Sequence, residues 1–276
     1  MLIVPVSDFN LKYTLECGQA FRWQCHGDGY TGVVGSALWH VSQNGGSFFV
    51  ETEPPVSKEE IAHYFSLDID LQETVAPLRG DPVLETAIQE FWGLRILRQD
   101  PWECLGSYIF SSFNNVKRIS LLVENLSRRF GTPVGSNGTV RHVFPKAETI
   151  ASLTAQDLQS IRPGFRDRYI LETARKVTEG KFSLEKLHAM ETKEAKEALL
   201  TLPGVGDKVA DCILLFAYER QDAFPIDIWI ERALRKFYFH GRRRTLKKMQ
   251  HFARRKFGSA AGYAQEYLYA YGRKYL

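Results

Sequence analysis

The segment Leu202–Asp227 reads LPGVGDKVADCILLFAYERQDAFPID, and it decides the fold. Residues 191–201 precede it with Ala, Leu, Lys and Glu and without a helix breaker, so they predict a helix. The Pro-Gly pair at 203–204 ends that helix, and Gly206 is expected to permit a tight turn because it lacks a Cβ atom. A second helix is predicted over about residues 207–219. Two helices joined by a Gly-x-Gly turn indicate a helix-hairpin-helix.

The turn of this hairpin is suited to hold an anion. The backbone N–H groups of Gly204, Val205 and Gly206 lie at the start of the second helix, where unpaired donors and the helix dipole favour a phosphate. These residues are therefore predicted to bind the backbone of a nucleic acid. A Gly-x-Gly turn also occurs in ordinary helical hairpins, which leaves a purely structural role open.

A lysine and an aspartate occupy the starts of two successive helices. Lys208 falls in the first turn of the second hairpin helix, where the helix dipole disfavours a cation and so favours a neutral, nucleophilic amine. Asp227 follows Pro225 and precedes an apolar helical run, so it is predicted to cap that helix. Together with the turn, the pair predicts a catalytic lysine and aspartate. A solvated lysine and a simple helix cap are the alternatives.

Composition narrows the class of protein. The chain has 276 residues, 44% of them hydrophobic, and no apolar run of about 18 residues that could span a membrane. Its start lacks the basic region of a signal peptide, so we expect a cytoplasmic protein without membrane association. The cysteines lie at no zinc-binding spacing and are expected to be free thiols in a reducing compartment. They are Cys17, Cys25, Cys104 and Cys212.

The charges are unevenly distributed along the chain. Residues 1–100 carry 6 Lys/Arg and 14 Asp/Glu, a net charge of −8, whereas residues 101–276 carry 30 and 18, a net charge of +12. The basic part contains the hairpin, which fits a nucleic-acid partner. Residues 240–257 hold eight Lys/Arg and no acid, and they either follow DNA phosphates or form a solvated helix surface.

The secondary-structure pattern changes near residue 71. Residues 1–55 contain β-rich runs separated by Gly-containing turns, which predict antiparallel hairpins with strands over 20–24, 30–34, 37–41 and 47–50. A capping box at 57–60 predicts a helix to about residue 65. Beyond residue 71, helices are predicted over 81–92, 100–110, 115–130, 163–180, 227–239, 245–257 and 262–271.

Four further patches of sequence occur in a fixed order around the hairpin. They are CGQAFRW at 17–23, ECL at 103–105 with SSFNN at 111–115, GFRDRY at 164–169, and GYAQ at 262–265. The hairpin with its lysine resembles the bifunctional members of the helix-hairpin-helix (HhH-GPD) DNA glycosylase superfamily. With the four patches, nearly the whole chain resembles the eukaryote-type 8-oxoguanine DNA glycosylase/lyases, and it is identified as a prokaryotic member of that family.

The resemblance implies an α+β fold, in which a twisted antiparallel β-sheet domain precedes two all-helical subdomains. The sheet domain would comprise residues 1–76. One helical subdomain would comprise 77–112 and 225–276, and the other, with the helix-hairpin-helix, 113–224. The active site would lie in the cleft between the helical parts.

The resemblance also implies the reaction. The enzyme would flip 8-oxoguanine out of double-stranded DNA, which would bind a monomer. Lys208 would attack the anomeric carbon, expel the base and form a Schiff base that permits β-elimination of the strand, while Asp227 would stabilise positive charge on the sugar. No cofactor and no catalytic metal is expected. The carbonyl oxygens of Leu200, Leu202 and Val205 would hold a structural monovalent cation.

Base recognition is likewise implied by the resemblance. The Gly18 carbonyl would accept the ring N–H that distinguishes 8-oxoguanine from guanine, a difference of one hydrogen bond. Gln265 would read the base edge, and Tyr269 and Cys212 would sandwich the ring. A solvent-facing helix is the alternative for Gln265 and Tyr269, and plain helix packing is the alternative for Cys212.

The base opposite the lesion has its own set of candidates in the family. Arg118 and Arg166 would donate to cytosine, whose acceptor edge suits guanidinium groups, and Phe165 would wedge into the base stack. Phosphate binding by both arginines is the alternative. Asn114 and Asn115 would belong to the loop that fills the gap left by the flipped base, together with Phe113.

Two residues depart from the family pattern. Phe113 replaces an asparagine, so it would act as a wedge or turn inward. Trp229 replaces a histidine two residues after the aspartate, so the phosphate of the damaged nucleotide would be held differently.

Two other functions compete with this one. Another helix-hairpin-helix glycosylase would act on a different damaged base. Enzymes for alkylated bases usually lack the hairpin lysine, which this sequence has. Others carry a four-cysteine iron–sulfur loop, which this sequence lacks. A non-catalytic DNA-binding protein would use the hairpin for phosphate contacts alone, and Lys208 with Asp227 argues against it.

Overall fold

A five-stranded antiparallel sheet forms the N-terminal part of the molecule. The computed structural model describes residues 1–135 and 139–276. The strands of this sheet are β1 (Leu2–Pro5), β2 (Gln24–His26), β3 (Gly29–Val34), β4 (Ala37–Asn44) and β5 (Ser47–Glu53). They lie in the order β1-β5-β4-β3-β2, and every neighbouring pair is antiparallel. The predicted antiparallel sheet is confirmed.

Two tight turns close the predicted hairpins. The turn between β2 and β3 closes where His26 pairs with Gly29. The turn between β4 and β5 closes where Asn44 pairs with Ser47, and Gly45 within it has φ +58°, which glycine adopts without strain.

The strand predicted over residues 20–24 is wrong for most of its length. β2 begins only at Gln24, because Phe21 leaves the sheet and packs edge-on against Tyr108 with ring centroids 5.2 Å apart. The apolar residues that suggested a strand therefore join the sheet domain to the helices.

A short helix also interrupts the segment that we interpreted as β. Helix α1 (Leu11–Glu16) begins after Asn10, whose side chain accepts the Tyr13 N–H at 2.9 Å. Leu11 and Leu15 are both buried, and their spacing of four residues suits one face of a helix. Six residues are too few for periodicity alone to reveal them.

Most of the remaining elements in the described chain are helices. They are α2 (Lys58–Tyr64), α3 (Leu71–Val75), α4 (Pro82–Glu90), α5 (Pro101–Ile109), α6 (Val116–Phe130), α7 (Ala147–Ala151), α8 (Ala155–Gln159), α9 (Arg166–Thr178), α10 (Thr192–Leu199), α11 (Asp207–Tyr218), α12 (Ile228–Phe237), α13 (Leu246–Phe257) and α14 (Ala261–Tyr275). A two-stranded sheet, β6 (Pro133–Val134) with β7 (Arg141–His142), follows α6. All the predicted helices are confirmed within a few residues, whereas α3, α7 and α8 were not predicted.

Two hydrophobic cores hold these elements. Phe48 and Phe65 are completely buried in the sheet core, where their rings meet edge-to-face at 4.9 Å. A larger core joins the helices and contains Tyr263 and Tyr267 of α14. Within it α14 packs on α4 and α12, and α5 packs on α11. Among the described residues, no helix combines the length and the apolar character that crossing a bilayer requires.

Candidate active site

The hairpin turn lies between α10 and α11, and glycine is required at Gly204. The φ of Gly204 is +79°, and an added Cβ atom would lie 2.7 Å from Cδ2 of Tyr169. The expectation that Gly206 supplies the conformational freedom is wrong. Gly206 has φ −101° and ψ −178°, which any residue adopts, and a Cβ there would meet nothing within 4 Å. The open space beside Gly206 leaves the N–H groups at the start of α11 accessible.

Lys208 lies in the first turn of α11, as predicted. Its Nζ atom is 4.8 Å from the ring centroid of Tyr108 and 3.4 Å from Oγ of Ser111. The side chain is half-buried, so its amine is held over the aromatic ring of α5 rather than free in solvent. Nothing in the sequence connected Tyr108 or Ser111 with Lys208, because Tyr108 lies on α5 and Ser111 in the turn that follows it, and no spacing relates these positions to α11.

Asp227 is the N-cap of α12, as predicted. Its Oδ1 atom accepts the N–H groups of Trp229 at 2.9 Å and Ile230 at 2.8 Å. Burial raises the pKa of the Asp227 carboxyl, although these two hydrogen bonds and the charge of Lys208 act in the opposite direction. The cap leaves the second carboxylate oxygen available, and the structure brings the carboxylate within electrostatic reach of the lysine.

The four residues assigned to base recognition converge beside this pair. Gly18 has φ +89°, and an added Cβ there would lie 3.3 Å from the Tyr269 hydroxyl and 3.3 Å from Cγ2 of Val116. Cys212 is buried one helical turn after Lys208, and burial raises the pKa of its thiol to about 12. Gln265 is only 4% exposed, so the alternative of a solvent-facing helix is excluded for it.

Two exposed aromatic side chains stand on neighbouring loops. Phe113 is 97% exposed and has φ +51°, which excludes the expectation that it turns inward. Phe165 is 47% exposed, its ring centroid lies 4.4 Å from the Arg166 guanidinium carbon, and it meets Tyr169 edge-to-face. Exposed aromatic rings of this kind suit insertion into a base stack.

Arg166 ties these two loops together. Its guanidinium donates from Nε to the Ser112 carbonyl at 3.0 Å, from Nη2 to the Phe113 carbonyl at 3.3 Å, and from Nη1 to the Pro163 carbonyl at 3.1 Å. Burial and the neighbouring Arg118 lower the pKa of the Arg166 guanidinium. The guanidinium N–H groups of Arg166, which were predicted to donate to a cytosine, therefore donate to backbone carbonyls in the free protein.

The remaining loop residues have structural partners as well. Arg118 donates to the Arg162 carbonyl at 2.8 Å, and Asn115 caps α6 by accepting the Arg118 N–H at 2.9 Å. Asn114 donates from Nδ2 to the Phe110 carbonyl at 3.1 Å. Trp229 is half-buried and lies under the guanidinium of Arg232, 5.0 Å from ring centroid to Cζ.

The predicted cation site is the loop between α10 and α11. The Leu202 carbonyl already accepts the Val205 N–H at 3.2 Å, and the Lys176 ammonium donates to the Thr201 carbonyl at 3.0 Å. Carbonyl oxygens past a helix end suit a hard cation, so the donor type fits, and the role of Leu200, Leu202 and Val205 stays a prediction. The described residues contain no cluster of His, Cys, Asp and Glu that could hold a metal ion.

Comparison with known proteins matches almost the whole chain. The family model for the 8-oxoguanine DNA glycosylase N-terminal domain matches residues 1–105, and the model for the HhH-GPD superfamily base excision DNA repair protein matches residues 107–258. A probable N-glycosylase/DNA lyase of Methanothermobacter thermautotrophicus is 31% identical over 98% of this chain and 96% of its own.

Solved structures agree with the sequence relatives. The structure of MBOgg1 in complex with a low-affinity DNA ligand has a TM-score of 0.94 and 40% identity, covering 99% of this chain and 95% of its own. The 8-oxoguanine glycosylase/lyase of Clostridium acetobutylicum, in complex with double-stranded DNA containing cytosine opposite to 8-oxoG, has a TM-score of 0.92 and 32% identity, covering 99% and 98%.

Proposed function

The chain belongs to the HhH-GPD superfamily of base excision DNA repair proteins and to its N-glycosylase/DNA lyases, and we infer from this that it excises 8-oxoguanine from duplex DNA and cleaves the strand. It is thus a bifunctional DNA glycosylase and lyase. The position of Lys208 supports its catalytic role most directly. It lies in the first turn of α11, its amine is held over the Tyr108 ring, and it is within electrostatic reach of the capping carboxylate of Asp227.

The reaction begins when the damaged nucleotide leaves the base stack, because the glycosidic bond is inaccessible inside a duplex. The neutral amine of Lys208 forms a bond to C1′ of the sugar, and the glycosidic electron pair leaves with the base, which takes up a proton. The covalent adduct opens to a Schiff base. Loss of a proton from C2′ then expels the 3′ phosphate by β-elimination, which cuts the strand.

Asp227 has an electrostatic role in this scheme. Positive charge develops on the sugar as the base leaves, and a fixed carboxylate nearby stabilises that charge without having to reorganise. The two N–H groups at the start of α12 hold the carboxylate in place. The same interactions that cap the helix therefore preorganise the catalytic group.

Recognition uses both sides of the pocket. The Gly18 carbonyl, Gln265, Tyr269 and Cys212 surround the extruded base. The contact of Gly18, which follows α1, with Tyr269 of α14 and the burial of Cys212 and Gln265 support this. On the duplex side, Phe113 and Phe165 support the strand at the gap, Asn114 and Asn115 shape the loop, and Arg118 and Arg166 face the estranged cytosine.

The hairpin turn, the oligomeric state and the cellular location of the enzyme are all proposed to suit a DNA substrate. The N–H groups of Gly204 and Gly206 bind a phosphate, whereas the Val205 N–H, also predicted to do so, donates to the Leu202 carbonyl within the turn. A monovalent cation at the adjoining carbonyls stabilises the hairpin. A monomer suffices, because one chain supplies every proposed group. A cytoplasmic location, at the nucleoid in a prokaryote, brings the enzyme to chromosomal DNA. The sheet domain and the two helical subdomains divide near residues 76, 112 and 224.

Borohydride trapping across a panel of lesions tests this function. The unmodified chain is incubated with duplexes that contain 8-oxoguanine, 3-methyladenine, thymine glycol or an abasic site, and the covalent complexes are counted after reduction. We expect cross-links with 8-oxoguanine and with the abasic site. Cross-links that favour another damaged base would reassign the substrate, and binding without cross-links would indicate a DNA-binding protein without lyase activity.

A further inference from the structure

Two side chains from outside the hairpin contact the amine of Lys208. Its Nζ atom lies 4.8 Å from the ring centroid of Tyr108 and 3.4 Å from Oγ of Ser111. Tyr108 lies in the last turn of α5, and Ser111 lies in the turn that follows this helix. One short segment therefore supplies an aromatic face and a hydroxyl to the amine, and the mechanism proposed above gives neither side chain a role.

The Tyr108 ring is fixed in place by its surroundings. Its hydroxyl donates to the Gln19 carbonyl at 3.0 Å, Phe216 stacks on the ring with centroids 5.7 Å apart, and Phe21 meets it edge-on at 5.2 Å. Only 2% of Tyr108 is exposed. A close-packed ring of this kind does not swing aside, so it holds a constant surface toward the amine.

The ring and the hydroxyl leave one direction open for the lone pair of the amine. A lysine ammonium carries three N–H donors, and the loss of one proton leaves two N–H groups and a lone pair. The face of an aromatic ring accepts one N–H group, and a serine hydroxyl accepts the other. Because the ring also attracts the protonated ammonium, the nitrogen stays in the same place before and after it loses the proton. The lone pair then points away from both groups.

We propose, on the basis of the function proposed above, that Tyr108 and Ser111 are positioning residues that aim the lone pair of Lys208 at C1′ of the sugar. The lone pair becomes the N–C1′ bond, the glycosidic electron pair leaves with the base, and the base takes up one proton as the amine gives one up. Reaction rates depend steeply on such alignment, since a displacement of about 1 Å costs about a hundredfold. The flexible side chain of a lysine gains that alignment from fixed contacts at its end.

Two substitutions remove the contacts one at a time. Tyr108→Leu takes away the ring, and Ser111→Ala takes away the hydroxyl. We expect each to lower the single-turnover rates of 8-oxoguanine excision and of borohydride trapping at a preformed abasic site, both by about tenfold. The two rates fall together because the same amine acts in both, whereas a loss of base recognition lowers excision alone. Binding to a duplex with a tetrahydrofuran abasic analogue, measured by fluorescence anisotropy, should stay within about twofold.

Two conservative variants restore the contacts. Tyr108→Phe keeps the ring, which Phe21 and Phe216 still hold, so both rates should recover to within about threefold of those of the unmodified chain. Ser111→Thr restores a hydroxyl and should recover likewise. This recovery distinguishes aim of the amine from a requirement for the Tyr108 hydroxyl or for serine itself.

Tyr218→Leu is the matched control for lost packing. Tyr218 lies on α11, is 5% exposed, and donates from its hydroxyl to the Leu184 carbonyl at 3.0 Å. Its ring meets His188, with ring centroids 4.7 Å apart, rather than the lysine amine. The substitution removes the same atoms as Tyr108→Leu, so it should lower the melting temperature but leave both rates within about twofold.

The results separate this proposal from the function on which it rests. Absence of both excision and abasic-site trapping by the unmodified chain overturns the function and the proposal with it. Unchanged rates in Tyr108→Leu and Ser111→Ala overturn the positioning role alone, as does a Tyr218→Leu variant that loses as much activity as Tyr108→Leu. Variants that lose excision but trap normally would place the two residues in base recognition and overturn it too. If Tyr108→Leu does not fold, unchanged rates in Ser111→Ala overturn the proposal, and lowered rates that Ser111→Thr restores support it.

Discussion

Among single residues, Asp227 has two roles: its carboxylate caps α12, and it is proposed to stabilise positive charge on the sugar. One oxygen accepts both cap hydrogen bonds, and the charge of the group acts on Lys208. Asparagine caps a helix about as well as aspartate but carries no charge. The structural and the chemical role of this residue can therefore be separated by one substitution.

Asp227→Asn should fold normally and lose catalysis. We expect its free energy of unfolding to change by less than about 1 kcal/mol, because the cap is retained. The single-turnover rate of base excision should fall at least about a hundredfold, because the charge that stabilises the sugar is lost. Urea denaturation and quenched-flow excision measure the two effects. A stability loss large enough to explain the lost activity would reduce Asp227 to a helix cap.

Among the secondary-structure elements, the helix-hairpin-helix was predictable from the sequence, but the position in its turn that requires glycine was not. The helix ends, the first-turn lysine and the cap at Asp227 follow from local preferences, which the sequence displays directly. The need for glycine at 204 depends on Tyr169 of α9, which lies 2.7 Å from a Cβ at that position. Such an approach comes from tertiary packing, as do the contacts of Lys208 with Tyr108 and Ser111.

Alanine at the two hairpin glycines should therefore have opposite effects. Gly204→Ala should lower the free energy of unfolding by about 1–3 kcal/mol, because φ +79° and the contact with Tyr169 both oppose a side chain. Gly206→Ala should leave stability within about 0.5 kcal/mol but weaken binding to undamaged duplex DNA, because its methyl group stands beside the phosphate-binding N–H groups. Denaturation and fluorescence anisotropy test the pair. Equal stability losses in the two variants would contradict this assignment.

At the scale of the whole molecule, the DNA side of the site joins loops that are distant in sequence. Arg166 links the loop of Ser112 and Phe113 to the start of α9, so the exposed rings of Phe113 and Phe165 keep a fixed relationship. The sequence located these residues only through family resemblance, because no periodic pattern relates loops some fifty residues apart. The sequence alone could not show that Arg166 donates to backbone carbonyls of its own chain.

These arginines should make excision depend on the base opposite the lesion. We expect faster single-turnover excision of 8-oxoguanine opposite cytosine than opposite adenine, since guanidinium donors suit the acceptors of cytosine and not the exocyclic donor of adenine. Each arginine lost should remove about 1–3 kcal/mol of that discrimination. Duplexes with each of the four opposite bases test this. Equal rates for cytosine and adenine, or unchanged selectivity in an Arg118→Ala/Arg166→Ala double variant, would show that the arginines do not read the base.

In the proposed mechanism one amine, Nζ of Lys208, both expels the base and forms the Schiff base. The most direct measurement is borohydride trapping on 8-oxoguanine DNA, followed by peptide mapping of the cross-link, for the unmodified chain, Lys208→Gln and Lys193→Gln. Lys193 is the matched control, because it also lies in the first turn of a hairpin helix but its side chain is 85% exposed. We predict a cross-link at Lys208, normal trapping by Lys193→Gln, and DNA binding without excision or trapping by Lys208→Gln. A Lys208→Gln variant that still excises the base and cross-links normally would show that another group is the nucleophile.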